Sequence, residues 1–322
     1  MLSNILVIGG AGYIGSHICK LFAQSGYCPI VYDTFTTGHR SFAKFGPYIE
    51  ANILDKAKLQ QALHTYAPLA VIHLAAYSNI RQSLAEKQLY YQNNLEGTQR
   101  LLEALKTEPV PYLLFSSSAS VYGMGSSLPI TEETKTCAYN PYAETKLLSE
   151  ELIKDFCSKH PTRYGILRYF NVAGADPEKE IGEAHTPETH LIPLLIQVLK
   201  KEKIAFPLLT TSHPTLDGTA QRDFIHVSDL AKAHIDVLQW MQTYQQNITL
   251  NLGSGKGHTL LEVIERLEKK VGRPIAIEKK DPVQEPASLV ADITKASSVL
   301  GWKPVHSDLD NILETALSWH LQ

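Results

Sequence analysis

Long apolar runs, clustered positive charge and paired cysteines are all scarce in this chain. No segment of its 322 residues approaches the roughly 20 consecutive apolar residues that a membrane-spanning helix needs, so no membrane partner is expected. Lys and Arg form no dense run and the formal net charge is -3, which argues against nucleic acid or an anionic membrane surface as the main partner. The four cysteines, Cys19, Cys28, Cys137 and Cys157, include no C-x-x-C pair, and a chain of this size needs no disulfide staples. Reduced thiols, a cytoplasmic location and no metal are therefore the expectation. The N-terminus lacks a basic stretch followed by an apolar core, so it does not read as a cleaved leader.

Glycine is concentrated where it matters. An apolar run, Ile5 to Ile8, leads into Gly9, Gly10, Ala11, Gly12, Tyr13, Ile14 and Gly15, which satisfies G-x-G-x-x-G through Gly10, Gly12 and Gly15. Such a turn lets backbone N–H groups approach a pyrophosphate and lets the next helix pack closely on the strand, with its N-terminus aimed at the anion. A second apolar run ends at Asp33, eighteen residues after Gly15, where a carboxylate can accept hydrogen bonds from an adenosine ribose. A dinucleotide site is the reading that explains both.

Short apolar, β-branched runs at residues 29–32, 70–74, 112–115 and 164–168 alternate with helical stretches at 56–66, 86–105 and 142–159. That alternation predicts an α/β fold, a Rossmann-type doubly wound parallel sheet, whose ligands bind beyond the carboxyl ends of the strands. After Asn171 the pattern loosens through a Pro- and acid-rich stretch, a helix at 188–201 and a polar loop at 210–218. We expect a nucleotide-binding domain over residues 1–173, rejoined by 219–252, and a smaller α+β substrate-binding lobe from 174–218 and 253–322. In that second part strands are expected at 224–227, 248–252 and 274–277, helices at 229–241 and 259–271, a Pro-rich loop at 281–286 and a terminal helix from about Asp308.

Tyr142 and Lys146 stand four apart on a predicted helix, which places both side chains on one face. A fixed cation beside a phenol favours the phenolate, so Lys146 is expected to make Tyr142 a usable general base. Ser116, Ser117 and Ser118 end a core strand at the ligand edge, where a hydroxyl can bond a substrate oxygen. His73, inside an apolar strand, reads as a core histidine rather than a catalytic base.

With these residues in place, the chain resembles the extended short-chain dehydrogenases and, within them, the UDP-glucose 4-epimerases. The resemblance is carried by the glycine turn, Tyr90 to Asn94 with Gly97 and Thr98, Phe115 to Gly123, Pro141 to Lys146, Arg168 to Asn171, and Arg222 to Val227. It implies NAD as cofactor, UDP-glucose and UDP-galactose as substrates, a 4-keto sugar intermediate and a homodimer. It implies Ser118, Tyr142 and Lys146 as catalytic residues. Cofactor contacts are implied at Gly9, Gly12, Tyr13, Ile14, Gly15 and Asp33, and through the loop of Thr34, Phe35, Thr36, Thr37 and Gly38. Asn52, Ile53, Leu74, Ala75, Ala76, Tyr77, Ser78, Asn93 and Phe170 complete that set, with Ser118, Tyr142 and Lys146 shared. Substrate contacts are implied at Ser118, Tyr142, Asn171, His190, Leu191, Leu209, Arg222 and Leu289. Asp33 favours NAD over NADP, and Arg40 leaves use of both open.

The chain departs from its relatives in several places. Asn52 replaces a frequent aspartate, Ser78 a lysine, His190 an asparagine, and Leu209 an aromatic. Pro282 stands where a diphosphate-binding arginine is usual. Ala119 and Ser120 occupy the acid/base positions that sugar-nucleotide dehydratases need, which disfavours that reaction. Other readings are a UDP-N-acetylglucosamine 4-epimerase, a sugar-nucleotide dehydrogenase or reductase, and a non-catalytic NAD-sensing protein. An intact Tyr142 and Lys146 pair speaks against the last.

Overall fold

The computed structural model describes residues 2–124, 128–209 and 213–322, so residues 210–212 of the expected polar loop lie outside the described residues. Its strands, in chain order, are β1 (Ser3–Ile8), β2 (Tyr27–Asp33), β3 (Tyr48–Glu50), β4 (Ala70–His73), β5 (Tyr112–Ser118), β6 (Arg163–Tyr169), β7 (Asn171–Ala173), β8 (Phe206–Leu209), β9 (Gln221–His226), β10 (Ile248–Leu252), β11 (Gly257–Thr259), β12 (Ile277–Lys280) and β13 (Ser288–Leu289). Seven of them form a parallel sheet in the order β10-β6-β5-β4-β1-β2-β3. The order reverses at β1, and the helices that follow β1 and β4, Tyr13–Gln24 and Gly97–Leu105, cover opposite faces of the sheet, which opens a crevice at its edge there.

Alternation along β1 explains why that sheet is covered twice. Ile5 and Val7 pack into one core with the helices Tyr13–Gln24 and Val227–Tyr244, whereas Leu6 and Ile8 pack into another with Lys56–Tyr66, Gly97–Leu105 and Pro141–Lys159. A third core gathers Leu195, Leu267 and Leu313 from the helices Leu191–Leu199, Leu260–Val271 and Leu309–His320. It lies beneath the smaller sheets, in which β7, β11 and β13 all pair with β9, and β8 pairs with β12. The segment expected to rejoin the first domain is therefore divided: β9 belongs to the smaller sheet, and β10 to the larger one.

Several boundaries follow from local chemistry. Asp55 accepts a hydrogen bond from Lys58 N at 3.1 Å and caps the Lys56–Tyr66 helix. Asn140 does the same for Ala143 N at 2.8 Å, with Pro141 in the first turn of the long helix that carries Tyr142 and Lys146. The helix expected at 188–201 starts later, at Leu191, because Glu188 turns its carboxylate back onto Thr189 N (2.7 Å) and His190 N (2.9 Å). The helix expected at 86–105 is interrupted by a π-helical turn, Tyr91–Glu96.

Candidate active site

The glycine turn is built by close approach. Gly9 has φ +88°, and a side chain there would come within 2.7 Å of Ala75 N; a Cβ on Gly15 would meet Gly9 O at 2.1 Å. The turns after β1 and β4 are thus locked together, with Leu74 N and Ala75 N donating to Ile8 O at 2.8 and 3.0 Å. Asp33, at the end of β2, accepts from Ala11 N (3.0 Å) and Phe35 N (2.8 Å). Burial raises its pKa, and the N–H groups of Phe35 and Ala11 oppose that rise. Arg40 does not turn towards it. Its guanidinium pairs with Glu50 at 2.6 Å and lies over the Phe35 ring.

One cavity of about 1010 Å³ joins this turn to the ends of β5 and β6 and to the smaller lobe. Nearly all of the implied cofactor and substrate contacts line it, from Gly9 and Asn52 to Arg222 and Leu289; Phe35 and Gly38 do not. Phe35 instead meets the Tyr48 ring edge-on at 5.5 Å, and Gly38 lies against the Ala11 backbone, where a Cβ would come within 3.0 Å.

The catalytic candidates meet at the carboxyl end of β5. Lys146 Nζ, buried, donates to Ser116 O at 2.7 Å and Ser116 Oγ at 3.3 Å, and lies 4.9 Å from the centre of the Phe115 ring. Burial lowers its pKa to about 7 despite the opposing charge of Glu150. Tyr142 is raised by burial, while a side-chain hydrogen bond with Ser118 pulls it the other way. For Tyr142 and Lys146, the expected charge favouring the phenolate is that of Lys146 helped by an oxidised nicotinamide. Their spacing does put both on the cavity side of one helix, but the ammonium is anchored on the β5 backbone and Ser118 is the phenol's partner. Ser118 Oγ also accepts from Ser120 N (3.2 Å) and Ser120 Oγ (2.9 Å).

Two positioning roles, those of Asn94 and Glu150, escaped the sequence. Asn94, next to the expected Asn93, accepts from Tyr77 N at 2.9 Å, and its amide reaches Tyr77 O (3.0 Å) and Thr145 Oγ1 (3.2 Å). It ties the loop after β4 to the Tyr142 helix, and the π-helical turn is what lets it reach both. Glu150 receives both Nε and Nη2 of Arg168, at 2.9 and 2.7 Å, and Ser117 Oγ at 2.5 Å. That buried fork holds β5, β6 and the helix in one register beneath the catalytic hydroxyls. His73 is buried, with Nε2 3.0 Å from Thr98 Oγ1 and its pKa lowered by burial to about 3, as suits a core histidine.

The nucleotide end differs more from expectation. Arg222 donates from Nη1 to Gln221 O (2.9 Å) and Pro286 O (2.8 Å), and from Nη2 to Glu285 at 2.7 Å. Its acidic neighbour Asp223 turns away, accepting from Ser254 N, Gly255 N and Ala291 N. His190 lies 2.6 Å from Glu183 and 3.2 Å from Glu188. Burial works against its charge, yet the two carboxylates outweigh it and raise its pKa to about 10.

Residues 5–253 match the NAD dependent epimerase/dehydratase family. The chain is 41% identical over 321 residues to a UDP-glucose 4-epimerase of Rhizobium meliloti (strain 1021), covering 99% of this chain and 97% of that protein. It is also 41% identical to one of Lactobacillus helveticus, covering 98% and 97%. Among solved structures, the UDP-glucose 4-epimerase from Brucella ovis in complex with NAD superposes with a TM-score of 0.95 at 41% identity, covering 98% of each chain.

Proposed function

The chain belongs to the NAD dependent epimerase/dehydratase family, and on that premise we propose that it is a UDP-glucose 4-epimerase that interconverts UDP-glucose and UDP-galactose with bound NAD. The observation that carries this reading is the meeting of Ser118, Tyr142 and Lys146 in the same cavity as the glycine turn. The turn fits a dinucleotide: Gly9 and Gly15 leave no room for a Cβ, and Asp33 stands at the strand end beside it. NAD held there by the glycine turn and Asp33 would supply reversible hydride acceptance at sugar C4.

The protein's own part is proton handling and positioning. Tyr142 takes the proton of the sugar 4-hydroxyl through its phenol oxygen and later gives it back, and Ser118 Oγ bonds the same substrate oxygen. Burial alone favours the neutral phenol, so the Tyr142 base depends on positive charge gathered in the closed site. Lys146 contributes when protonated, held in place by Ser116 O. The 4-keto sugar must turn over between the two hydride steps, and a cavity of about 1010 Å³ leaves space for that rotation beside a cofactor. Incubation with UDP-glucose and no added cofactor should yield UDP-galactose; net reduction of NAD in proportion to product would instead indicate a dehydrogenase.

Among the described residues no helix is long and apolar enough to cross a membrane. The reading includes a cytoplasmic homodimer, and light scattering that gives a monomer mass at micromolar protein would remove the dimer.

Two expected results follow at the site. Asp33→Ala should weaken NAD and relax discrimination against NADP. Because Asp33 also holds Ala11 N and Phe35 N, the ratio of the two affinities is the proper readout; an unchanged ratio would place the carboxylate away from the ribose. Leu289, buried in the cavity wall, is intermediate in size where the resemblance implies a contact with the hexose 2-substituent. UDP-glucose should therefore turn over faster than UDP-N-acetylglucosamine, with measurable activity on both. The reverse order of kcat/KM would contradict this.

A further inference from the structure

Four side chains outside the catalytic group converge on the wall of the cavity. Glu183, His185, Glu188 and His190 each offer a ligand atom, and these four atoms all lie within 4.8 Å of one another. Glu183 Oε1 is 2.6 Å from His190 Nδ1 and 3.1 Å from His185 Nδ1, while Glu188 Oε1 is 3.2 Å from His190 Nδ1. Ligands bound at about 2.0–2.1 Å around a tetrahedral zinc ion stand about 3.3 Å apart; the two longer separations match that spacing, and the Glu183–His190 pair would open by about 0.7 Å to admit an ion.

Charge supplies the second argument. The side chains of Glu183 and Glu188 are only 5% and 2% exposed, and their salt-bridge partners among the described residues are His185 and His190, with no Lys or Arg. Two buried carboxylates facing one another need a cation between them; the His190 imidazole, in reach of both, fills that place when protonated, and a metal ion would replace its proton. Glu188 Oε1 is engaged by Thr189 N and His190 N, but Oε2 is buried with no hydrogen-bond partner. A buried carboxylate oxygen left unsatisfied inside a His/Glu cluster points to a missing positive ligand.

We infer that Glu183, His185, Glu188 and His190 form a binding site for one divalent transition-metal ion of the zinc class. Four protein ligands close the coordination sphere, as in structural rather than catalytic zinc sites. All four come from one eight-residue stretch that leads into the Leu191–Leu199 helix and faces Tyr13. The metal would therefore brace the cavity wall that carries His190 and Leu191, leaving the hydride chemistry to the cofactor. No recognised metal spacing announces the site in the sequence, since E-x-H-x-x-E-x-H follows neither a helical face nor a strand.

The test is direct metal binding to the full chain, stripped with chelator and dialysed. Zinc titrated by calorimetry should bind at one equivalent per chain, and cobalt(II) should give the visible absorption of a tetrahedral N/O site without thiolate charge transfer from the cysteines. Zinc should raise the melting temperature, and chelator should reverse the rise. Glu188→Gln, which keeps the volume, and His185→Gln should each weaken zinc on the order of 100-fold, at the upper end of what loss of even an outer-shell partner costs. Failure of the wild-type chain to bind zinc or cobalt at micromolar concentration would overturn the site and leave an ion-pair cluster only. Unaltered binding by a folded Glu188→Gln chain would also overturn it, by placing the metal elsewhere.

Discussion

Tyr142→Phe should reduce turnover by about 10²- to 10⁴-fold, the range assigned to a positioned general acid–base group, while leaving NAD bound. The substitution deletes one oxygen and keeps the ring. The phenol oxygen has Ser118 as its side-chain hydrogen-bond partner, and its loss leaves a hydroxyl that can still bond Ser120. Lys146 is a less clean target, because its removal would strand Ser116 O, a buried carbonyl that it satisfies at 2.7 Å. The assay is epimerisation of UDP-galactose by initial rate, alongside the NAD content released on denaturation. Near-normal epimerisation with full NAD would remove Tyr142 from proton transfer; loss of both activity and NAD would show that the ring, rather than the oxygen, is what the site needs.

What the sequence made legible is whatever local chemistry determines. Gly9 and Gly15 could be read because the turn they make has no space for a side chain, and that constraint fixes their spacing. The helices expected at 56–66 and 142–159 are bounded by equally local chemistry, since the cap bonds of Asp55 and Asn140 each span only three residues. The i, i+4 spacing correctly put Tyr142 and Lys146 on one face, but direction along that face was set by a distant strand: Ser116 O holds the ammonium across thirty residues. The π-helical turn at Tyr91–Glu96 had no local signal for the same reason. Within it, Asn94 reaches Tyr77 and Thr145, both distant in the chain. The strand expected at 274–277 moved to Ile277–Lys280 because its register comes from parallel pairing with Phe206–Leu209, far away in the chain. Likewise Glu183 and Glu188 became interesting only once folding had buried both carboxylates beside two imidazoles.

The same limit applies to Arg222, for which the structure sharpens the expected result. Arg222→Ala should raise the KM for UDP-sugars by about 30-fold to a few thousand-fold, corresponding to the roughly 2–5 kcal/mol lost when one partner of a buried charge pair is removed. A diphosphate is best matched by a guanidinium, and Pro282, where the resemblance implies a second arginine, donates nothing. Arg222 is already engaged by Glu285 and by the Pro286 carbonyl, both on the loop that carries Pro282. Its Nε and one N–H of Nη2 still have no partner among the described residues, which leaves it able to meet a phosphate from one edge. The same contacts mean that Arg222→Ala also loosens the loop, so the variant needs a companion. Glu285→Gln removes the charge pair and keeps the arginine. If Arg222 acts on the diphosphate, Glu285→Gln should keep or tighten UDP affinity in calorimetry, because the guanidinium no longer shares its charge with a carboxylate. An equal loss in both variants would mean that Arg222 works by holding the loop. Unchanged UDP affinity in Arg222→Ala, with a collapse in Lys280→Ala, would transfer the phosphates to the exposed end of β12 instead.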